Sequence, residues 1–227
     1  MLSSMSSPDR ARARALAADA VGAGDAVGWF ETLYAEAATG DAVVPWADLE
    51  PNPFLVPVVD ALEPRGRAIV VGCGYGDDAA QLADSGWDVT AFDVSATSIA
   101  AAAARWPSAP IEWAVADVVE PRPAWLGAFD LVVEVYTVQV LPPGSDERAR
   151  AVRAIASLVA PGGTLVVIAR ARRDDEGTGE FPWPLTRAEV ESFGADGLLT
   201  TSITLDVDRS EDAPVGRWVA VFDRPRD

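Results

Sequence analysis

The sequence predicts an α/β fold organised around a mostly parallel sheet. Three observations carry that reading. Short, nearly all-apolar runs of strand length recur between Arg67 and Ala169 and alternate with stretches of helical spacing, as expected of parallel strands covered on both faces. The first of these runs opens directly into a glycine-rich turn and a helix, the strand-turn-helix corner at which α/β sheets hold nucleotide-like ligands. The last two, Thr201 to Asp206 and Arg217 to Phe222, alternate apolar with polar and are joined by acidic, proline-containing sequence, which suggests an antiparallel hairpin closing the sheet. Right-handed crossovers then put helices on both faces.

With 227 residues the chain fits one domain with a sizeable core. Residues 1–25 read as a tail and surface helix: Met1 to Pro8 is Ser-rich and expected to be disordered, and Asp9 to Ala20 is rich in Ala and Arg. Residues 26–227 read as the domain itself, with 26–62 covering a pocket and 63–225 forming the core. In the cover, Ala26 to Ala38 sets Val27, Phe30, Leu33, Tyr34 and Ala37 at helical spacing. Trp29 falls off that stripe and either packs or faces a ligand. Trp46 lies in a proline-bounded loop, and Asn52 with Pro53 reads as a helix cap followed by a first-turn proline.

In the core, Ala68 to Val71 is the first buried strand, and Gly72, Gly74 and Gly76 permit a tight turn and close ligand approach. Asp77 and Asp78 open the next helix, where carboxylates are favoured by the helix dipole. The spacing discriminates between cofactors. A dinucleotide site wants its third glycine where Asp77 stands, and a carboxylate there opposes a pyrophosphate. S-adenosylmethionine carries a sulfonium and an ammonium group in place of phosphate, so its charge suits this turn.

Further strands are expected at Asp88 to Phe92, Ile111 to Val115, Phe129 to Val135 and Thr164 to Ala169, with helices from Asp78, from Ser95 and from Ser145, each serine a cap, and a turn at Pro161-Gly162-Gly163. A capping box joins Thr186 to Glu189. Ligands bind outside the carboxyl ends of such strands. Asp93, followed by Val94, stands at the second strand end, where its carboxylate suits ribose hydroxyls. Asp117 and Val118 stand at the third, with an acceptor and a backbone donor suited to adenine. Glu134 and Tyr136 close the fourth and are expected to face the reaction centre, Tyr136 orienting or deprotonating an acceptor.

Charge and composition exclude other classes. Against 18 Lys plus Arg stand 35 Asp plus Glu, a net charge of −17, which repels a phosphate backbone; no nucleic-acid partner is expected. No membrane span or leader is apparent, and the single Cys73 cannot form an internal disulfide, so a cytoplasmic location is expected. The chain has no histidine; this removes imidazole as a general base and the usual histidine-built zinc sets, and no metal is expected.

From Ala26 to Pro225 these residues resemble the class I S-adenosylmethionine-dependent methyltransferases, on the strength of the G-x-G-x-G turn, Asp93 and Asp117. Within that superfamily the chain is similar to the thiopurine, thiol and halide methyltransferase group and its bacterial relatives. The shared residues are Trp29, Pro45-Trp46, Gly72-Cys73-Gly74 with Gly76 and Asp78, Phe129-Asp130-Leu131, Leu141-Pro142-Pro143, Phe181-Pro182-Trp183 and Gly216-Arg217-Trp218. The resemblance implies a Rossmann-like three-layer α/β/α sandwich with a seven-stranded sheet, its last strand antiparallel. It also implies methyl transfer by in-line displacement to a small-molecule acceptor, with Trp29, Trp46 and Trp183 walling the acceptor. The missing histidine suits a thiol or other soft nucleophile, which needs orientation more than a base. An O- or N-methyltransferase of a small aromatic metabolite, and a non-catalytic cofactor-binding protein, are the alternatives. Val70 and Val135 depart from the family pattern, which expects an acidic residue and an aromatic there.

Overall fold

A computed structural model describes residues 7–22, 24–25, 27–179, 181–209 and 214–226. The expected tail at residues 1–6, the expected helix start at Ala26 and part of the hairpin connection, residues 210–213, fall outside them. The helix expected at Asp9 to Ala20 is found, longer at both ends, as α1 (Ser7–Gly22), and the cover helix as α2 (Trp29–Thr39); α3 (Val56–Asp60) follows. Then come β1 (Arg67–Val71), α4 (Asp77–Asp84), β2 (Asp88–Asp93), α5 (Ala96–Arg105), β3 (Ile111–Val115), β4 (Phe129–Val135), α6 (Asp146–Ser157) and β5 (Val159–Arg170). The chain closes with α7 (Arg187–Glu191), β6 (Leu199–Asp208) and β7 (Val215–Asp223).

The seven strands form one sheet in the order β3-β2-β1-β4-β5-β7-β6. β1 to β5 are mutually parallel; β7 runs antiparallel to both β5 and β6. The order reverses at β1, between β2 and β4, so the turn after β1 lies at the switch point where such sheets bind ligands. Val71 pairs with Phe92 on one side and with Glu134 on the other, which brings the ends of β1, β2 and β4 level along one edge.

Alternate residues of the central strands feed two cores. Ile69, Val71, Val132, Leu165 and Val167 pack with Ala151, Val152 and Ile155 of α6, while Ala68, Val70, Leu131, Val133 and Ile168 pack with Leu82 of α4 and Val59 of α3. Ala13 and Ala17 of α1 join Trp29, Leu33 and Phe181 in a third cluster. Ser95 and Ser145 cap α5 and α6, accepting from Ser98 N and Arg148 N. Thr186 and Glu189 make the full capping box.

The turn expected at Pro161-Gly162-Gly163 is instead absorbed into β5. The register to β4 slips there, from Phe129 opposite Val159 to Leu131 opposite Thr164, and Gly162 and Gly163 exchange backbone hydrogen bonds with Arg224 beyond β7. Gly162 holds φ +80°, which fits a bulge that lets the strand continue through residues that read as a stop.

Candidate functional site

A cavity of about 580 Å³ opens over the carboxyl ends of β1, β2, β3 and β4. Its floor starts at the glycine turn. A Cβ on Gly72 would lie 2.4 Å from Thr137 Oγ1 and one on Gly76 2.4 Å from the Trp113 ring, so both glycines serve packing. Gly72 and Gly74 both line the cavity, and at Gly74 the nearest atom to the missing Cβ is the Tyr34 hydroxyl at 3.0 Å. From there the wall passes Asp78, then Asp93 and Val94, then Asp117 and Val118. The carboxylate and backbone positions predicted for an amino-acid moiety, a ribose and an adenine thus follow one another along a single sheet edge.

Asp93 is 7% exposed. Its Oδ2 accepts from Gly74 N and its Oδ1 from Ser95 N, each at 3.0 Å, which fixes the carboxylate at the end of β2 against the glycine turn. Burial raises its pKa against those hydrogen bonds. Asp78 accepts from Asn52 N at 2.7 Å, and burial pushes it up to about 6. Asp117 Oδ1 accepts from Val119 N, which orients its carboxylate. Three acidic side chains on the cofactor side suit a ligand carrying a sulfonium and an ammonium group, so these residues fit S-adenosylmethionine. Asp77, by contrast, is engaged by Arg105, which pairs with it at 2.7 Å, so its own charge opposes a pyrophosphate less than the sequence suggests.

Glu134 and Gly76 do not line the cavity. Glu134 is buried beside the start of the 3-10 turn at Val138–Val140, where its Oε1 accepts from Thr137 N (2.7 Å) and Val138 N (2.8 Å). Its Oε2 is buried without a hydrogen-bond partner, and burial raises its pKa to about 7.

Of the acceptor-side residues, Trp46 and Tyr136 line the cavity; Trp29 and Trp183 do not. Trp29, 4% exposed, makes edge contacts with Trp46 (5.9 Å) and Phe181 (5.1 Å). Trp183 lies edge-on behind Phe181 at 5.5 Å. The apolar wall is made by Phe30, Trp46, Phe181 and Pro182. Tyr136 holds φ +60°, an uncommon conformation for a residue with a Cβ. Its ring lies 5.6 Å from the Arg217 guanidinium. Arg217 is 5% exposed and pairs with Asp208 at 2.8 Å. Burial raises the Tyr136 pKa, opposed by the Arg217 charge and by hydrogen bonds with Asn52 and Arg217.

Sequence reasoning missed Tyr34, Asn52 and Arg217 as cavity residues. Tyr34 was legible only as part of a helical stripe; in the structure its hydroxyl accepts from Trp46 Nε1 at 3.3 Å and overhangs Gly74. Burial pushes its pKa well above the usual tyrosine value.

The methyltransferase domain family matches residues 68–163, β1 through the start of β5. Over 113 residues the chain is 36% identical to an uncharacterized methyltransferase of Mycobacterium tuberculosis, covering 49% of this chain and 55% of that one. The chain therefore spans about half the length of this curated relative. A probable thiol methyltransferase of Arabidopsis thaliana is 27% identical over 183 residues, 77% of this chain and 79% of that one. The N-methyltransferase NodS of Bradyrhizobium japonicum, solved with S-adenosyl-L-homocysteine, aligns with a TM-score of 0.65, 21% identity, and covers 86% of this chain and all of that one. That last likeness is one of fold.

Proposed function

We propose that this chain is a class I S-adenosylmethionine-dependent methyltransferase that transfers the cofactor's methyl group to the sulfur of a small thiol or to another soft nucleophile. The observation that carries the acceptor class is a cavity lined by the phenols of Tyr34 and Tyr136 in a chain without an imidazole base. Tyr34 and Tyr136 are both pushed above the ordinary tyrosine value by burial, and the chain has no histidine. At neutral pH the phenols are donors; of the cavity's carboxylates, Asp78 and Asp93 stand beside the glycine turn and Asp208 is paired with Arg217. An acceptor that arrives already deprotonated, such as a thiolate, needs no general base.

When bound, S-adenosylmethionine supplies a methyl group activated on a sulfonium centre. Asp93 and Asp117 hold the adenosine half, and Asp78 attracts the amino group. Tyr136, fixed by Asn52 and Arg217, donates a hydrogen bond toward the acceptor atom and orients it. Phe30, Trp46 and Phe181 exclude water, which strips a thiolate of the hydration that restrains its attack. The name of the Arabidopsis relative supports the same acceptor class.

The test is release of S-adenosylhomocysteine with three acceptor panels: aryl and alkyl thiols, phenols, and amines. Turnover confined to phenols or amines would replace the thiol reading with O- or N-methylation. Tight cofactor binding with no release from any panel would favour a binding protein.

A further inference from the structure

The cavity's roof is helix α2, whose Phe30 and Tyr34 face the ligand space. Toward the start of α5, the same helix sends out Glu31. Its Oε2 accepts from Ser95 Oγ at 2.6 Å and from Thr97 N at 3.1 Å, and its Oε1 accepts from Thr97 Oγ1 at 2.6 Å. Glu31 lies at the surface, but the Ser95 hydroxyl that it grips is fully buried. Ser95 also donates its backbone N–H to Asp93 Oδ1 at 3.0 Å. One residue therefore joins the carboxylate at the ribose position to the carboxylate that fastens the roof, and the roof's Tyr34 overhangs Gly74, the other backbone donor to Asp93.

We infer that Glu31 is a positioning residue for cofactor retention: its grip on Ser95 and Thr97 keeps α2 closed over a ligand whose ribose is held by Asp93. The inference rests on the cofactor assignment above. Glu31 touches neither the cavity nor the reacting atoms, so it acts through Ser95 and through the placement of Tyr34. The group is also well matched to its seat. A carboxylate is favoured at the amino end of a helix, where backbone N–H groups are unsatisfied, and its three donors leave it no reason to release except the motion of α2 itself.

The experiment measures release of S-adenosylhomocysteine from the full chain by stopped-flow tryptophan fluorescence, with the ligand-free melting temperature read beside it. Glu31→Gln removes the charge and weakens hydrogen bonds to it, so release is expected to accelerate about tenfold. Thr97→Ala, which deletes a single hydroxyl, should give a smaller rise in the same direction and stands in if Glu31→Gln does not fold. In an Asp93→Asn background the effect of Glu31→Gln should shrink to less than about threefold, because residues that share a partner are not additive. A plain clamp between α2 and α5 would lower the melting temperature of Glu31→Gln and leave release at the parent rate. That result overturns the inference, as does an equal acceleration in both backgrounds. Absence of S-adenosylhomocysteine binding to the parent chain would refute the cofactor assignment itself, an outcome distinct from parent-like release by the variants.

Discussion

Asp93 combines two roles at one residue, facing the cavity while it accepts the backbone N–H groups of Gly74 and Ser95. Asp93→Ala is therefore expected to weaken S-adenosylhomocysteine by about 1.5 to 3 kcal/mol, the range for hydrogen bonds to a charged group. It should also lower the melting temperature, since two backbone donors, that of Ser95 buried, lose their acceptor. Calorimetry and a melting curve read the two effects separately; unchanged affinity would leave Asp93 a turn residue. Tyr136→Phe isolates the phenol instead. Acceptor kcat/KM should drop with cofactor Kd unchanged, whereas equal loss of both would move Tyr136 out of the acceptor role. The strand-end carboxylates Asp93 and Asp117 were legible in sequence because parallel strands bring their carboxyl ends to one edge. Glu134 was not, because nothing in the residue order shows that its side chain folds back to accept the N–H groups of Thr137 and Val138. Its pKa is raised from 4.5 to about 7. A raised carboxylate pKa means that ionisation opposes folding, so this cost is absent below the unfolded value and fully present above about pH 7. Glu134→Gln, which keeps the Oε1 acceptor, should raise the melting temperature at pH 8 and leave it little changed at pH 4.5. An equal effect at both pH values would contradict the raised pKa.

At the scale of elements, the aromatics of the cover divide by what they touch. Trp46 lines the cavity from its loop, and Trp29 points from α2 into the cluster with Ala13, Ala17 and Phe181. Trp46→Ala should raise the acceptor KM while the melting temperature and cofactor affinity change little. Trp29→Ala should cost about 3 to 5 kcal/mol of stability, as for other buried aromatic truncations. Melting temperatures of the two variants decide this, and an equally large drop for Trp46→Ala would return it to the core. The sequence could not separate these tryptophans, because a residue off an amphipathic stripe faces either a ligand or a second apolar layer, and the second layer here is built by α1 and by Phe181 from beyond β5. The same limit applies at Pro161-Gly162-Gly163. Local chemistry there points to a stop, but pairing with Arg224, far along the chain, turns it into a bulge within a strand.

For the molecule as a whole, sheet order and charge act together on ligand choice. The switch point at β1 offers a crevice to any nucleotide-like ligand, and the fold alone does not choose among them. The selecting feature we propose is the charge laid along that crevice: Asp78 beside the turn, Asp93 at the end of β2 and Asp117 beyond β3, in a chain of net charge −17. Arg105 offsets Asp77, so exclusion of a pyrophosphate falls mainly to Asp78 and to the Tyr34 hydroxyl over Gly74, which crowds the backbone approach a pyrophosphate requires. S-adenosylhomocysteine and S-adenosylmethionine keep the ammonium group and lack phosphate. At a ligand concentration 100 times its Kd, binding to the native state adds about 2.7 kcal/mol, and a domain of this size gains roughly 2 to 4 °C per kcal/mol. Saturating S-adenosylhomocysteine should therefore raise the melting temperature by about 5 to 11 °C, while NAD and NADP at the same concentration leave it unmoved. Stabilisation by either dinucleotide to a similar extent would show that the carboxylates along this edge do not select the cofactor, and a dinucleotide shift that appears only in Asp78→Asn would show that Asp78 alone does.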